Sequence, residues 1–139
     1  MKLVTFTVAE ANQALQDIRP RMERLVEAKA EFDRLQTRLQ VLELAAAGAT
    51  EDNPDQRELQ TLGERRSRLG ESIAKEIDAV HAHGCLVKDL DRGLVDFHAL
   101  AGDRLVYLCW QVGEQTVEHW HTLDGGFSSR QSLHQGELE

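Results

Sequence analysis

Basic residues are scarce in this chain: 16 Lys and Arg stand against 24 Asp and Glu, a formal charge of -8 at pH 7. That balance repels nucleic-acid phosphates and anionic lipid, so neither nucleic acid nor membrane is expected as a partner. Cysteine is almost missing. Cys85 and Cys109 stand alone, outside any Cys-x-x-Cys spacing, which excludes a disulfide framework and a four-cysteine zinc site. There is no apolar run of membrane length and no signal-like apolar start, and a cytoplasmic protein is expected. Phosphate-cradling glycine loops and the Gly-x-Ser-x-Gly elbow are missing too, which removes the usual nucleotide and serine-hydrolase readings of Ser128 and Ser129.

What is present divides near residue 84. Residues 1–84 hold 15 acidic and 12 basic side chains and no aromatic beyond Phe6 and Phe32, a composition that favours helix. Residues 85–139 hold both tryptophans, the tyrosine and most of the glycines among short alternating runs, which favours strands and turns. No Pro-rich or Ser-rich linker separates the halves, so one domain over 1–139 is expected: a helical hairpin over 7–84, a β-rich part over 85–133 and a polar tail over 134–139.

Thr7 lies three residues before Glu10, the spacing of a capping box, and opens the first helix. Ile18, Leu25, Phe32 and Leu39 recur every seven residues, with Ala28, Leu35 and Leu42 beside them, and the helix runs to about Leu44. Pro20 predicts a kink. After a turn around Gly48 to Pro54, a second helix spans about Asp55 to Ala82, striped by Leu59, Leu62, Leu69, Ile73, Ile77 and Val80. Gly63 and Gly70 break its propensity and predict a close approach of backbones. The stripes need a partner, and a homodimer through the hairpin, or a docked protein, is expected.

Four strands are predicted, at 85–88, 94–97, 105–110 and 117–121, joined as an antiparallel meander against the base of the hairpin. The fold class is therefore α+β: a long antiparallel helical hairpin packed at its base against a small antiparallel β-sheet. Chemistry concentrates in the sheet half. The run from Lys88 to Phe97 carries Asp89, Asp91, Asp96 and the cations Lys88 and Arg92 around Gly93, enough either to hold a hard cation or to neutralise itself as a salt-bridged hairpin. His119 and His121 share a strand face, a partial site for zinc, iron, manganese or nickel if carboxylates such as Asp89, Asp91 or Asp96 complete it. Arg130 is expected to clamp Asp96 or Glu114. Trp110 and Trp120 are expected to touch across the sheet, and Cys85 and Cys109 to be small buried residues. His81 and His83 are read as caps of the second helix, and His98 and His134 as solvent-facing.

Four blocks together suggest a family: Phe6-Thr7-x-x-Glu10-Ala11-Asn12, Val87 through Phe97, Leu108-Cys109-Trp110-x-x-Gly113-Glu114, and Trp120-His121-x-Leu123-Asp124-x-Gly126-Phe127-x-x-Arg130-Gln131. The chain resembles the bacterial DUF2203 family, small proteins without an established activity. Under that resemblance Lys88, Asp89, Asp91, Arg92, Asp96, Trp110, Glu114, His121, Asp124 and Arg130 fall on recurring positions and His119 on a variable one, which shifts a metal toward His121 and carboxylates. Two functions follow. The favoured one is a structural or protein-interaction module that self-associates through the hairpin. The other is a divalent-metal-binding protein or small metal-dependent hydrolase, with Asp89, Asp91, Asp96, His119 and His121 as ligands and Glu114 or Asp124 orienting water.

Overall fold

The computed structural model describes residues 3–48, 50 and 52–133. Helix α1 spans Val8–Ala45 and α2 spans Pro54–His81, packed side by side as the expected hairpin. At α1 the capping box is complete: Thr7 Oγ1 accepts from the Glu10 amide at 3.1 Å, and Glu10 Oε1 accepts from the Thr7 amide at 2.9 Å. Helix α1 runs through Pro20 without ending there. Asn53 caps α2, accepting from the Asp55 amide at 2.8 Å, with Pro54 in the first turn where no amide donor is needed. At about 1.5 Å per residue, α1 reaches about 57 Å and overhangs the sheet, whose longest strands have eight residues. Among the described residues no helix is long and apolar enough to cross a membrane.

Five strands follow, β1 (Leu86–Asp89), β2 (Leu94–Ala101), β3 (Arg104–Gln111), β4 (His119–Thr122) and β5 (Gln131–Ser132), in spatial order β1-β2-β3-β4-β5 and all antiparallel. The central pair is longer than the sequence predicted, and β5 is a fifth strand beyond the four predicted. Its pairing comes from tertiary contact: the Leu133 amide donates to Glu118 O at 2.9 Å, and two residues of strand carry too little periodicity to be read in advance. Residues 134–139, with His134, lie outside the described residues.

Alternation sorts the sheet into two faces. Val95, Phe97 and Ala99 of β2 and Val106, Leu108 and Trp110 of β3 meet Ala11, Leu15, Ile18, Met22 and Leu25 of α1 and Ile73 and Val80 of α2 in one buried core. The hairpin's own stripe continues past the sheet, where Leu35, Leu39 and Leu42 are buried and the pairs Arg38 with Glu58 and Arg65 with Glu31 join the helices. One expectation fails here. Gly63 faces open space, and Gly70 meets only the edge of the Phe32 ring at 3.4 Å, so neither brings backbones together. Trp110 and Trp120 both lie on the core side as diagonal neighbours on adjacent strands, Trp110 opposite Val95 and Trp120 opposite Leu108.

Candidate functional site

The second sheet face carries the polar residues. Register places Asp96 beside Cys109 and Cys109 beside His119, while His98, Tyr107 and His121 form the next row. Cys109 is the smallest of the β3 residues on this face, and above it Asp96 from β2 and His121 from β4 reach across the intervening strand. His121 Nε2 lies 3.0 Å from Asp96 Oδ2, and the two side chains are 3% and 4% exposed. Asp96 Oδ1 is buried without a hydrogen-bond partner, an arrangement that costs free energy unless something else comes to it.

The imidazole is oriented from behind. His121 Nδ1 donates to the Thr122 carbonyl, which only accepts, at 2.8 Å, and the 3.0 Å contact of Nε2 with Asp96 Oδ2 is held by a second proton, whose place a metal ion can take. A ligand-type atom from each of Asp96, Cys109 and His121 lies within 4.8 Å of the other two. Burial, with the Asp96 carboxylate beside it, pushes the Cys109 thiol up to about 12. As a free thiol it is protonated and a poor nucleophile. A cavity of about 110 Å³ opens beside the group, walled by Lys88, Leu94, Tyr107, Leu123, Gly125, Gly126 and Phe127. The Lys88 ammonium stands 4.6 Å above the Tyr107 ring, whose centroid is 5.3 Å from that of His121.

A separate network pins the wall in place. Arg130 Nη2 points one N–H between the two Glu114 carboxylate oxygens, at 2.8 and 2.7 Å, and the other at His119 Nδ1, at 2.7 Å. Because Nδ1 of His119 accepts from a guanidinium, its 3.4 Å approach to Glu114 is no ion pair. Glu114 closes its own turn by accepting from the Gln111 amide at 2.7 Å, and its carbonyl accepts from Trp110 Nε1 at 2.9 Å and from Arg19 at 2.8 Å. Arg92 and Arg130 each place a guanidinium 4.8 Å from the Phe127 ring centroid. This is a brace, built around the expected Arg130 clamp with Glu114 as its carboxylate.

Several sequence expectations are redistributed. Asp89 and Asp91 do not join Asp96: a bulge after Val87 ends the alternation, and Asp89 Oδ1 accepts from the Asp91 and Arg92 amides at 2.8 and 3.0 Å as a turn cap. Asp91 instead meets Lys29 of α1 at 3.0 Å. The charged hairpin therefore does not neutralise itself, since Lys88 and Arg92 face aromatic rings. His119 is bound to the brace, and Asp124 accepts from the Thr122 hydroxyl at 2.8 Å in an exposed turn. His81 Nε2 accepts from the Val87 amide at 3.2 Å, an acceptor role rather than a charged cap. His98 is half-buried, 4.7 Å from the Tyr107 ring. Cys85 is buried as expected, its thiol donating to the Val80 carbonyl at 3.3 Å. The residues missed were Cys109 and Tyr107. The signal was available: alternation around Leu108 and Trp110, once those are core, turns Cys109 and Tyr107 to the polar side.

Comparison with known proteins adds a family and no activity. A family model described as "Uncharacterized conserved protein (DUF2203)" matches residues 4–133. No curated protein matches the chain, and no solved structure does.

Proposed function

Because the chain belongs to the DUF2203 family, whose description carries no activity, its chemistry has to come from its own side chains, and we propose that Asp96, Cys109 and His121 bind one divalent metal ion. The observation that carries this reading is the convergence of carboxylate, thiol and imidazole within 4.8 Å, buried and beside a cavity. Zinc bonds of about 2.0–2.3 Å to O, N and S place tetrahedral ligands about 3.3–3.8 Å apart, so the group closes on an ion by small side-chain adjustments.

Three features support it further. The Thr122 carbonyl holds the His121 Nδ1 proton, the outer hydrogen bond that leaves Nε2 as ligand. Asp96 Oδ1, buried without a hydrogen-bond partner beside the Cys109 thiol, supplies a free acceptor. The donor mixture selects the metal: a thiolate disfavours manganese, and with imidazole and carboxylate it suits zinc above iron or nickel. Carboxylate and thiolate together cancel the charge of a divalent ion, which relieves the cost of a buried carboxylate.

Three protein ligands on a tetrahedral ion leave one position for water or a small ligand, and the cavity offers the room. Hydrolysis would need a group to move the proton of water, and both carboxylates expected for that role are engaged, Glu114 with Arg130 and Asp124 with Thr122. Metal analysis of tag-free protein tests the proposal: about one equivalent of zinc is expected, lost in His121→Ala and Cys109→Ala. Absence of metal from wild-type protein grown and refolded with zinc rejects it.

Self-association is a second reading, supported by Leu44 at 83% and Val41 at 51% exposure near the overhanging tip. Its basis is narrower than the sequence suggested, because the main stripes are consumed inside the hairpin. A solution mass that stays near 15.7 kDa over a concentration series rejects it.

A further inference from the structure

We infer that the ligand of this pocket is a small aliphatic monocarboxylate, bound with its carboxylate between the metal and the Lys88 ammonium. The inference rests on the metal reading above and adds the class of molecule that fills the remaining space. Charge is the first consideration. A divalent ion with the Asp96 carboxylate and the Cys109 thiolate is a neutral unit, so Lys88 is the charge left over among the side chains that wall the cavity. The described residues give Lys88 no carboxylate partner, and its ammonium rests over the Tyr107 ring at 4.6 Å. A neutral metal unit with this cation on the wall attracts an anion; because the Lys88 ammonium is exposed and Arg92, also without a carboxylate partner among the described residues, lies against the Phe127 ring, charge favours a monoanion only modestly over a dianion and the apolar wall carries the choice.

Size is the second. A cavity of about 110 Å³ holds the volume of about three or four waters at about 30 Å³ each, well below the roughly 300 Å³ where pockets for drug-sized ligands begin. The enclosed part therefore takes a small molecule whole but only one end of a nucleotide, sugar or peptide. The third is the wall chemistry: Leu94, Leu123 and Phe127 offer an apolar surface away from the cation, so a short alkyl group gains what a purely inorganic anion does not. Acetate through butyrate fit all three conditions. The wall that would hold the alkyl group is the segment braced by Arg130, which keeps Phe127 in place.

Cobalt(II) loaded into full-length protein separates this inference from the reading beneath it. A thiolate-to-cobalt absorption band in wild-type protein, absent in Cys109→Ala, reports the metal site. Propionate is then titrated against the cobalt d–d spectrum, with propionamide and phosphate as comparisons. The expected result is a saturable shift with propionate, none with propionamide, and phosphate weaker by about 10-fold or more. Lys88→Met is expected to keep the thiolate band and weaken propionate by about 10-fold, the loss of one charge-assisted contact. A cobalt spectrum that forms but ignores propionate, or responds equally to phosphate, or is shifted by propionate as tightly in Lys88→Met, overturns the carboxylate inference and leaves the metal site standing. Failure of cobalt to bind overturns both.

Discussion

Breaking the Asp96–His121 pair is the perturbation whose size follows most directly from the structure. Both side chains are almost wholly buried, at 3% and 4% exposure, with N to O at 3.0 Å. His121→Leu keeps an apolar side chain of similar bulk but strands the Asp96 carboxylate, whose second oxygen already lacks a partner. Removing one member of a buried pair costs roughly 3–5 kcal/mol, because the other charge is left uncompensated. With an unfolding entropy of about 2.1 cal/mol/K per residue over 139 residues, each kcal/mol is about 3.4 °C, so the melting temperature falls by roughly 10–17 °C. The double variant Asp96→Asn/His121→Leu removes the stranded charge and retains only an amide to satisfy, a burden of about 1–3 kcal/mol. It is therefore expected to be more stable than His121→Leu alone. The assay is urea unfolding of His121→Leu, Asp96→Asn, the double variant and wild type in the presence of a chelator, so that bound metal does not enter the comparison. The reasoning is refuted if His121→Leu lies within about 1 kcal/mol of wild type, or if the double variant loses the sum of the two single losses.

Three further outcomes are expected. Gly93 has φ +72° and an added Cβ there would stand 2.6 Å from Val112 and 2.9 Å from Val26, so Gly93→Ala should cost about 2–3 kcal/mol or more in denaturant unfolding; a neutral change would mean the turn relaxes freely. Burial pushes the Cys85 thiol from its ordinary 9.0 up to about 12, so above about pH 9 the unfolded chain releases a proton that the folded one keeps. Stability from this thiol is then intact below pH 9 and lost as pH rises toward 12, at up to about 1.4 kcal/mol per pH unit, and Cys85→Ala should show a shallower alkaline decline in urea melts; equal slopes would contradict the burial. Arg130→Gln removes both bonds to Glu114, with a cost of roughly 1.5–3 kcal/mol, and should speed amide exchange at Leu133 and in the Phe127–Ser129 turn while sparing β2 and β3; unchanged exchange there would show that Arg130 does not brace the segment.

Much of the fold was legible because its signals are local. Thr7 with Glu10 marks a helix start through contacts within three residues, and seven-residue recurrence of Ile18, Leu25 and Leu39 marks the buried side of α1 whatever it packs against, while Asn53 and Pro54, expected in the turn, prove to be the cap and first residue of α2. The site was less legible. Asp96, His121 and Arg130 stood out as polar residues in the right half of the chain. Asp89 looked the same in sequence but was consumed by its own turn, because a bulge breaks the alternation on which the expectation rested. Cys109 looked like core because its two neighbours are core, and a one-residue offset on a strand reverses the face.

By itself the sequence determined the elements, their order, the division between hairpin and sheet, and the absence of a phosphate loop or disulfide framework, since each depends on residue type at short spacing. Only the tertiary structure decided which polar side chains meet. Asp96, Cys109 and His121 lie on three strands and converge through the register of β2, β3 and β4, a property of hydrogen-bonded pairing between distant segments that no local pattern contains.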